Sequence, residues 1–137
     1  MRDIKFRGKT GTTEGKKWVY GYLYKIKSFF SENYQYFVKN EHLQETNVDE
    51  ETIGQYTGLK DKNGTEIYEG DIIFIKGETK LLDIKGKVEY SNILAQFIIT
   101  NTGSIVNEAE PLGDYEEEDI EVIGNIYDNP ELLEKGE

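Results

Sequence analysis

Four stretches of the chain hold residue types that could do chemistry, and each must be weighed by its spacing. Asp61-Lys62-Asn63-Gly64-Thr65-Glu66 sets oxygen ligands around a glycine, as calcium loops do. In an EF-hand, however, the glycine falls sixth and a bidentate glutamate twelfth, whereas Gly64 falls fourth from Asp61 and no such glutamate follows. Gly8-Lys9-Thr10 is a fragment of a phosphate-cradling loop that lacks the earlier glycine at the required distance. His42 is the only histidine; Glu41, Glu45 and Asp49 are near it in sequence, but acid–base catalysis needs partners that converge from elsewhere, so His42 is expected to be exposed. Tyr115, Glu116, Glu117, Glu118 and Asp119 form the densest part of an acidic stretch running from Asn107 to Asp119. Consecutive carboxylates on a flexible segment lack the fixed separation that glycoside cleavage or a hard cation demands. They are expected to be a solvated loop or a partner-binding patch. No residue is assigned a catalytic, cofactor-binding or metal-ligating role, and the chain is not expected to be an enzyme.

The elements behind these residues are β-strands. Asn63-Gly64 suits a type I′ turn or its bulged alternative, because glycine reaches positive φ at no steric cost, and Gly58 and Gly70 bracket the hairpin so formed. Ile72-Ile73-Phe74-Ile75, flanked by Gly70-Asp71 and Gly77, is β-branched, aromatic and too short for a buried helix. It is the strongest core strand in the chain. Trp18, Tyr20, Tyr22 and Tyr24 alternate with Val19, Gly21 and Leu23 at the strand period of two, and Tyr34 to Val38 forms another aromatic strand. Gly8 to Gly15 is expected to be a hairpin loop, and Asp49 to cap a short helical turn that ends at Gly54. Gly86–Tyr90, Ala95–Thr100 and a returning Val122–Ile126 supply further strands, as a small barrel of about five strands requires. Asn129-Pro130-Glu131 reads as the start of a C-terminal helical turn.

These residues also carry a resemblance. Val48 to Leu59 (with Gly54, Gln55, Tyr56, Thr57, Gly58 and Leu59), then Asp61-Lys62-Asn63-Gly64 and Ile67-Tyr68-Glu69-Gly70-Asp71, resemble the central signature of the YopX family of phage and prophage proteins. Met1 to Arg7 and Val122 to Leu133, with Gly124, Asn125 and Pro130, resemble its outer motifs, so the likeness runs from end to end. The resemblance implies a mostly β protein with a small SH3-like barrel over about residues 55–128, an N-terminal β region and a short C-terminal helix. Residues 1–47 would be that β region, packed on the barrel, and 48–137 the barrel with its acidic loop. It implies a phage or prophage origin and no settled activity.

Composition narrows the function classes. The chain has no cysteine, which excludes disulfides, thiolate zinc sites and cysteine nucleophiles and fits a reducing cytoplasm in a bacterial host. No window approaches the ~20 apolar residues of a membrane span, so no membrane partner is expected. The net charge is −11 but uneven: residues 1–40 hold nine Lys/Arg against three Asp/Glu, and residues 105–137 hold one against twelve. Opposite fields steer association, so the chain is expected to self-associate or to bind a host or phage protein. Two alternatives are a nucleic-acid-associated accessory factor using the basic strands, and an acidic decoy of a host DNA-binding protein. Direct nucleic-acid binding is disfavoured by the acidic total, because phosphate contacts rely on Lys and Arg.

Overall fold

The computed structural model describes residues 1–11, 15–100 and 109–133. Thr12, Thr13 and Glu14 of the expected loop, and Asn107 and Glu108 of the acidic stretch, lie outside the described residues. The protein is mostly β, with strands β1 (Phe6–Lys9), β2 (Trp18–Lys27), β3 (Tyr34–Lys39), β4 (Glu45–Val48), β5 (Gly54–Lys60), β6 (Glu66–Tyr68), β7 (Asp71–Ile75), β8 (Ile84–Ser91), β9 (Gln96–Thr100), β10 (Ala109–Pro111) and β11 (Ile120–Asn125). Short 3-10 turns lie between some of them, and no α-helix occurs among the described residues. The chain divides into two compact units, Met1–Tyr56 and Thr57–Glu137.

In the first unit the antiparallel order is β4-β3-β2-β1-β5. The register sets Leu23 opposite Val38 and Val38 opposite Thr46, and Val38 and Val48 are buried where the strands' apolar faces meet. Gly8 and Lys9 belong to β1 and not to a loop as expected. A Cβ at Gly8 would come within 2.8 Å of the Val48 side chain, so the glycine serves close packing there and not loop flexibility. Thr10 closes the hairpin instead: its N–H donates to Lys17 O, and its Oγ1 accepts from Lys17 N. The helical turn after β4 is a 3-10 turn, Glu50–Thr52, and Asp49 does not cap it with its side chain. Thr52 Oγ1 donates to Asp49 O and accepts from Lys9 N, which ties the turn to β1.

The second unit has the antiparallel order β10-β9-β8-β7-β11. β7 is the core strand the apolar run promised: Ile72 and Ile73 are fully buried and Ile75 nearly so. Ile73 and Ile75 join Ile67, Ile84, Val88, Ile99, Leu112 and Ile120 in one apolar cluster. The strands of the expected SH3-like barrel do not close into a barrel. The sheet is open, with β10 and β11 as its edges. β11 returns to pair with β7, and β10 is three residues long and ends in Pro111, which has no N–H to extend a ladder. The C-terminal helical turn is four residues of 3-10 helix, Pro130–Leu133.

The hairpin at Asn63-Gly64 takes the bulged form. Gly64 N donates to Asp61 O and Asp61 N donates to Thr65 O, with Gly64 alone of the turn residues at positive φ (+82°). No atom lies within 4 Å of where a Gly64 Cβ would be, so any cost of substitution there is conformational. Gly64→Val is expected to lower unfolding free energy by roughly 1–2 kcal/mol, since a β-branched residue resists positive φ. An unchanged melting temperature would count against this assignment of the turn.

Candidate functional site

In the second unit part of the signature is built on a buried carboxylate. Asp61 is only 4% exposed. Its Oδ1 accepts from Asn63 N (2.8 Å) and Thr65 N (2.9 Å), and its Oδ2 accepts from Val122 N (2.9 Å), on a strand far away in sequence. Lys62 N donates to Ile120 O and the Lys62 ammonium lies 3.1 Å from Glu121, so the turn is stitched to β11 at adjacent positions. Burial pushes the Asp61 pKa up, but the hydrogen bonds from Val122, Thr65 and Asn63 outweigh it and hold the carboxyl below its ordinary value. Both oxygens thus face backbone N–H groups, which accounts for the acidic turn without a cation.

Asp71 works in a similar way over a shorter reach. Its Oδ2 accepts from Tyr68 N (2.8 Å), closing the bend between β6 and β7. Gly70, at φ +91°, donates to Val88 O and accepts from Ile126 N. Ile67 and Tyr68 are buried, with the Tyr68 hydroxyl donating to Glu66, and Glu69 is half-buried beside them. Thr57 Oγ1 accepts from Leu59 N before the kink at Gly58 (φ +90°), and Leu59 packs on the apolar cluster. In the first unit, Gly54 and Gln55 pair with Arg7 and Phe6, and Tyr56 is buried with the Lys5 ammonium 5.0 Å from its ring centre.

The C-terminal motif is a knot of asparagines. Asn125 Oδ1 accepts from Tyr127 N and Asp128 N, and Asn125 N donates to Asn129 Oδ1. A Cβ on Gly124 would sit 2.7 Å from that same oxygen, so the glycine is required by close approach. Asn129 therefore points back at β11, with Pro130 opening the 3-10 turn after it.

The acidic segment separates into two roles. Tyr115 packs against the apolar cluster, and its hydroxyl donates to Glu110. Burial, then the Glu110 and Asp114 carboxylates, push the phenol pKa well above its ordinary value. Glu116, Glu117, Glu118 and Asp119 face solvent, the last three on a 3-10 turn closed by Asp119 N to Glu116 O. His42 is exposed, 3.5 Å from Glu41.

Outside the central signature is a groove of about 960 Å³ in the first unit, which three segments line: the N-terminal residues, the first half of β2 and the end of β3 with the turn after it. Asn40 builds that turn: its Oδ1 accepts from His42 N and Gln44 N, while its carbonyl accepts from Leu43 N and Leu43 takes φ +63°. Gly21, at φ +151°, lets β2 approach, since a Cβ there would lie 2.0 Å from Lys39 O. Tyr20 and Tyr22 stand exposed on the groove wall. The alternation of Trp18, Tyr20 and Tyr22 was the only sequence signal for it.

Fold and site together define an all-β protein whose recurring motif residues position backbone, with exposed aromatic and charged surfaces beside them. The YopX protein family matches residues 5–134, and the chain belongs to that family. It is similar to the crystal structure of protein EF1440 from Enterococcus faecalis, at 26% identity and a TM-score of 0.56 over 98% of this chain and all of the other. It is also similar to the crystal structure of YopX from Bacillus subtilis, at 21% identity and a TM-score of 0.58 over the whole of both chains. No curated protein matches. No helix among the described residues is long and apolar enough to cross a membrane.

Asp61 yields a pH prediction. Its folded pKa is depressed, so its stabilisation is complete above the ordinary value of 3.8 and is lost as pH falls through the folded value. Asp61→Asn, which turns one acceptor into a donor facing an N–H, is expected to cost about 1–3 kcal/mol near neutral pH. In urea titrations the gap between parent and variant should shrink as pH falls below about 4. A gap that is constant with pH would show that the charge is not what matters.

Proposed function

We propose that this YopX-family protein is a non-enzymatic, phage- or prophage-encoded binding or assembly protein that acts through protein surfaces, including those of its own copies, in the cytoplasm of a bacterial host. The observation that supports it most is the polarity of charge along the chain, with a net of +6 in residues 1–40 and −11 in residues 105–137. The solvent-facing carboxylates of Glu116 to Asp119 supply one end of such a contact. At the other end, Phe29 and Phe30 stand 94% and 95% exposed at the tip of the β2–β3 hairpin, beside Lys25 and Lys27. Two bare phenylalanines on a short turn are an anchor suited to a partner's pocket.

Light scattering across a salt series tests this. Contacts between exposed unlike charges weaken as the Debye length shrinks from about 10 Å at 0.1 M to about 3 Å at 1 M, so an oligomer at low salt is expected to lose mass with added salt. An oligomer that resists salt but dissociates in Phe29→Ser/Phe30→Ser would place the contact at the hairpin tip. A monomer at all salt concentrations and high protein concentration would rule out self-association. Capture from host lysate would then have to yield one dominant protein for the binding role to stand.

A further inference from the structure

We propose that the groove in the first unit binds single-stranded nucleic acid, stacking bases on Tyr20 and Tyr22 and meeting phosphates with Arg2, Lys5 and Lys39. The inference goes beyond self-association and does not depend on it, because one copy carries the whole groove. Tyr20 and Tyr22 are 46% and 69% exposed, unlike the buried rings of Tyr56 and Tyr68, so they do not serve a core. They are consecutive outward residues of β2, and two strand residues span about 6.6–6.8 Å. That is about twice the 3.4 Å repeat of a stacked strand, so a ring can sit between bases that have been drawn apart. A duplex, with its bases stacked, offers no such gap.

Charge points the same way. Within a chain of net charge −11, the groove presents three cations against two carboxylates, Asp3 and Glu41. Two further cations flank the base of the platform: the Arg7 guanidinium lies 4.5 Å and the Lys9 ammonium 5.7 Å from the centre of the Trp18 ring. Lys39 is shared with Glu45 at 3.6 Å, an exposed pair that a phosphate can replace at little cost. The geometry suits a short, sequence-tolerant site of a few nucleotides, in which stacking supplies most of the affinity. An acidic peptide would use the cations but not the ring faces.

Fluorescence anisotropy with a labelled oligothymidylate of about ten nucleotides tests the assignment. Saturable binding is expected at low salt, with log K falling against log salt at a slope of about −2 for three phosphate contacts, and Arg2→Gln should flatten that slope by about 0.7. Tyr20→Ala and Tyr22→Ala should each weaken binding about tenfold, while Tyr22→Phe, which keeps the ring, should restore it. Tyr22 is 69% exposed, so the melting curve of Tyr22→Ala should match that of the parent protein. Absence of saturable binding at low salt would overturn the proposal, as would alanine variants that bind like the parent. Displacement of the oligonucleotide by polyglutamate of equal length as effectively as by unlabelled oligothymidylate would also overturn it, in favour of an acidic peptide.

Discussion

A buried carboxylate is tolerated only when its charge is met, and the second unit is built on one that is. Isolated in an apolar setting, an ionised Asp61 would cost several kcal/mol. Three backbone N–H groups converge on it instead, and charge-assisted bonds of this kind contribute about 1.5–3 kcal/mol each. Two of those donors shape the bulged hairpin, and the third belongs to Val122 in β11. One side chain therefore sets both a local turn and a long-range strand position. β11 in turn pairs with β7, the strand that contributes Ile73 and Ile75 to the apolar cluster. Asp71 and Asn125, opposite each other in the β7–β11 ladder, repeat the device, each satisfying backbone N–H that a bend would otherwise leave without a partner.

The chain's acidic residues thus divide by burden. Asp61 and Asp71 are buried and bound to backbone, whereas Glu116 to Asp119 are open to water and hold no such structure. The pairs Lys27 with Glu32 and Lys39 with Glu45 are exposed, and pairs of that kind contribute little to stability. Stability rests on the apolar cluster and the satisfied turns, not on the surface charge.

How much of this was legible in the sequence depends on how local each signal was. The Ile72–Ile75 strand and the Asn63-Gly64 turn are written in adjacent residues, and both formed where composition placed them. The acceptor role of Asp61 was hidden because its decisive donor lies on a strand reached only after folding. Strand count and spacing suggested a barrel, yet nothing local says whether the two ends of a sheet will meet: β11 returned to pair with β7, and among the described residues β10 and β11 stay apart as the two edges. Tyr115 reads as part of an acidic patch, because its neighbours are carboxylates; what the sequence does not show is that its half-buried ring packs against the apolar cluster. The groove was half legible. The tyrosine alternation was visible, but the cations that complete it come from two other segments, the N-terminal residues and the end of β3.

An acidic total and a nucleic-acid groove are compatible once range is considered. At physiological ionic strength the Debye length is about 8 Å, so a carboxylate farther than that from a bound phosphate acts on it only weakly. Tight duplex binding draws on many phosphate contacts spread over a wide surface, and there a charge of −11 is a continuing penalty. A groove with three cations and two exposed tyrosines asks far less of the field, because stacking depends on ring faces more than on net charge. The same acidity would then act as a filter, excluding duplexes and long polyanions from a surface that still admits a short unstacked strand.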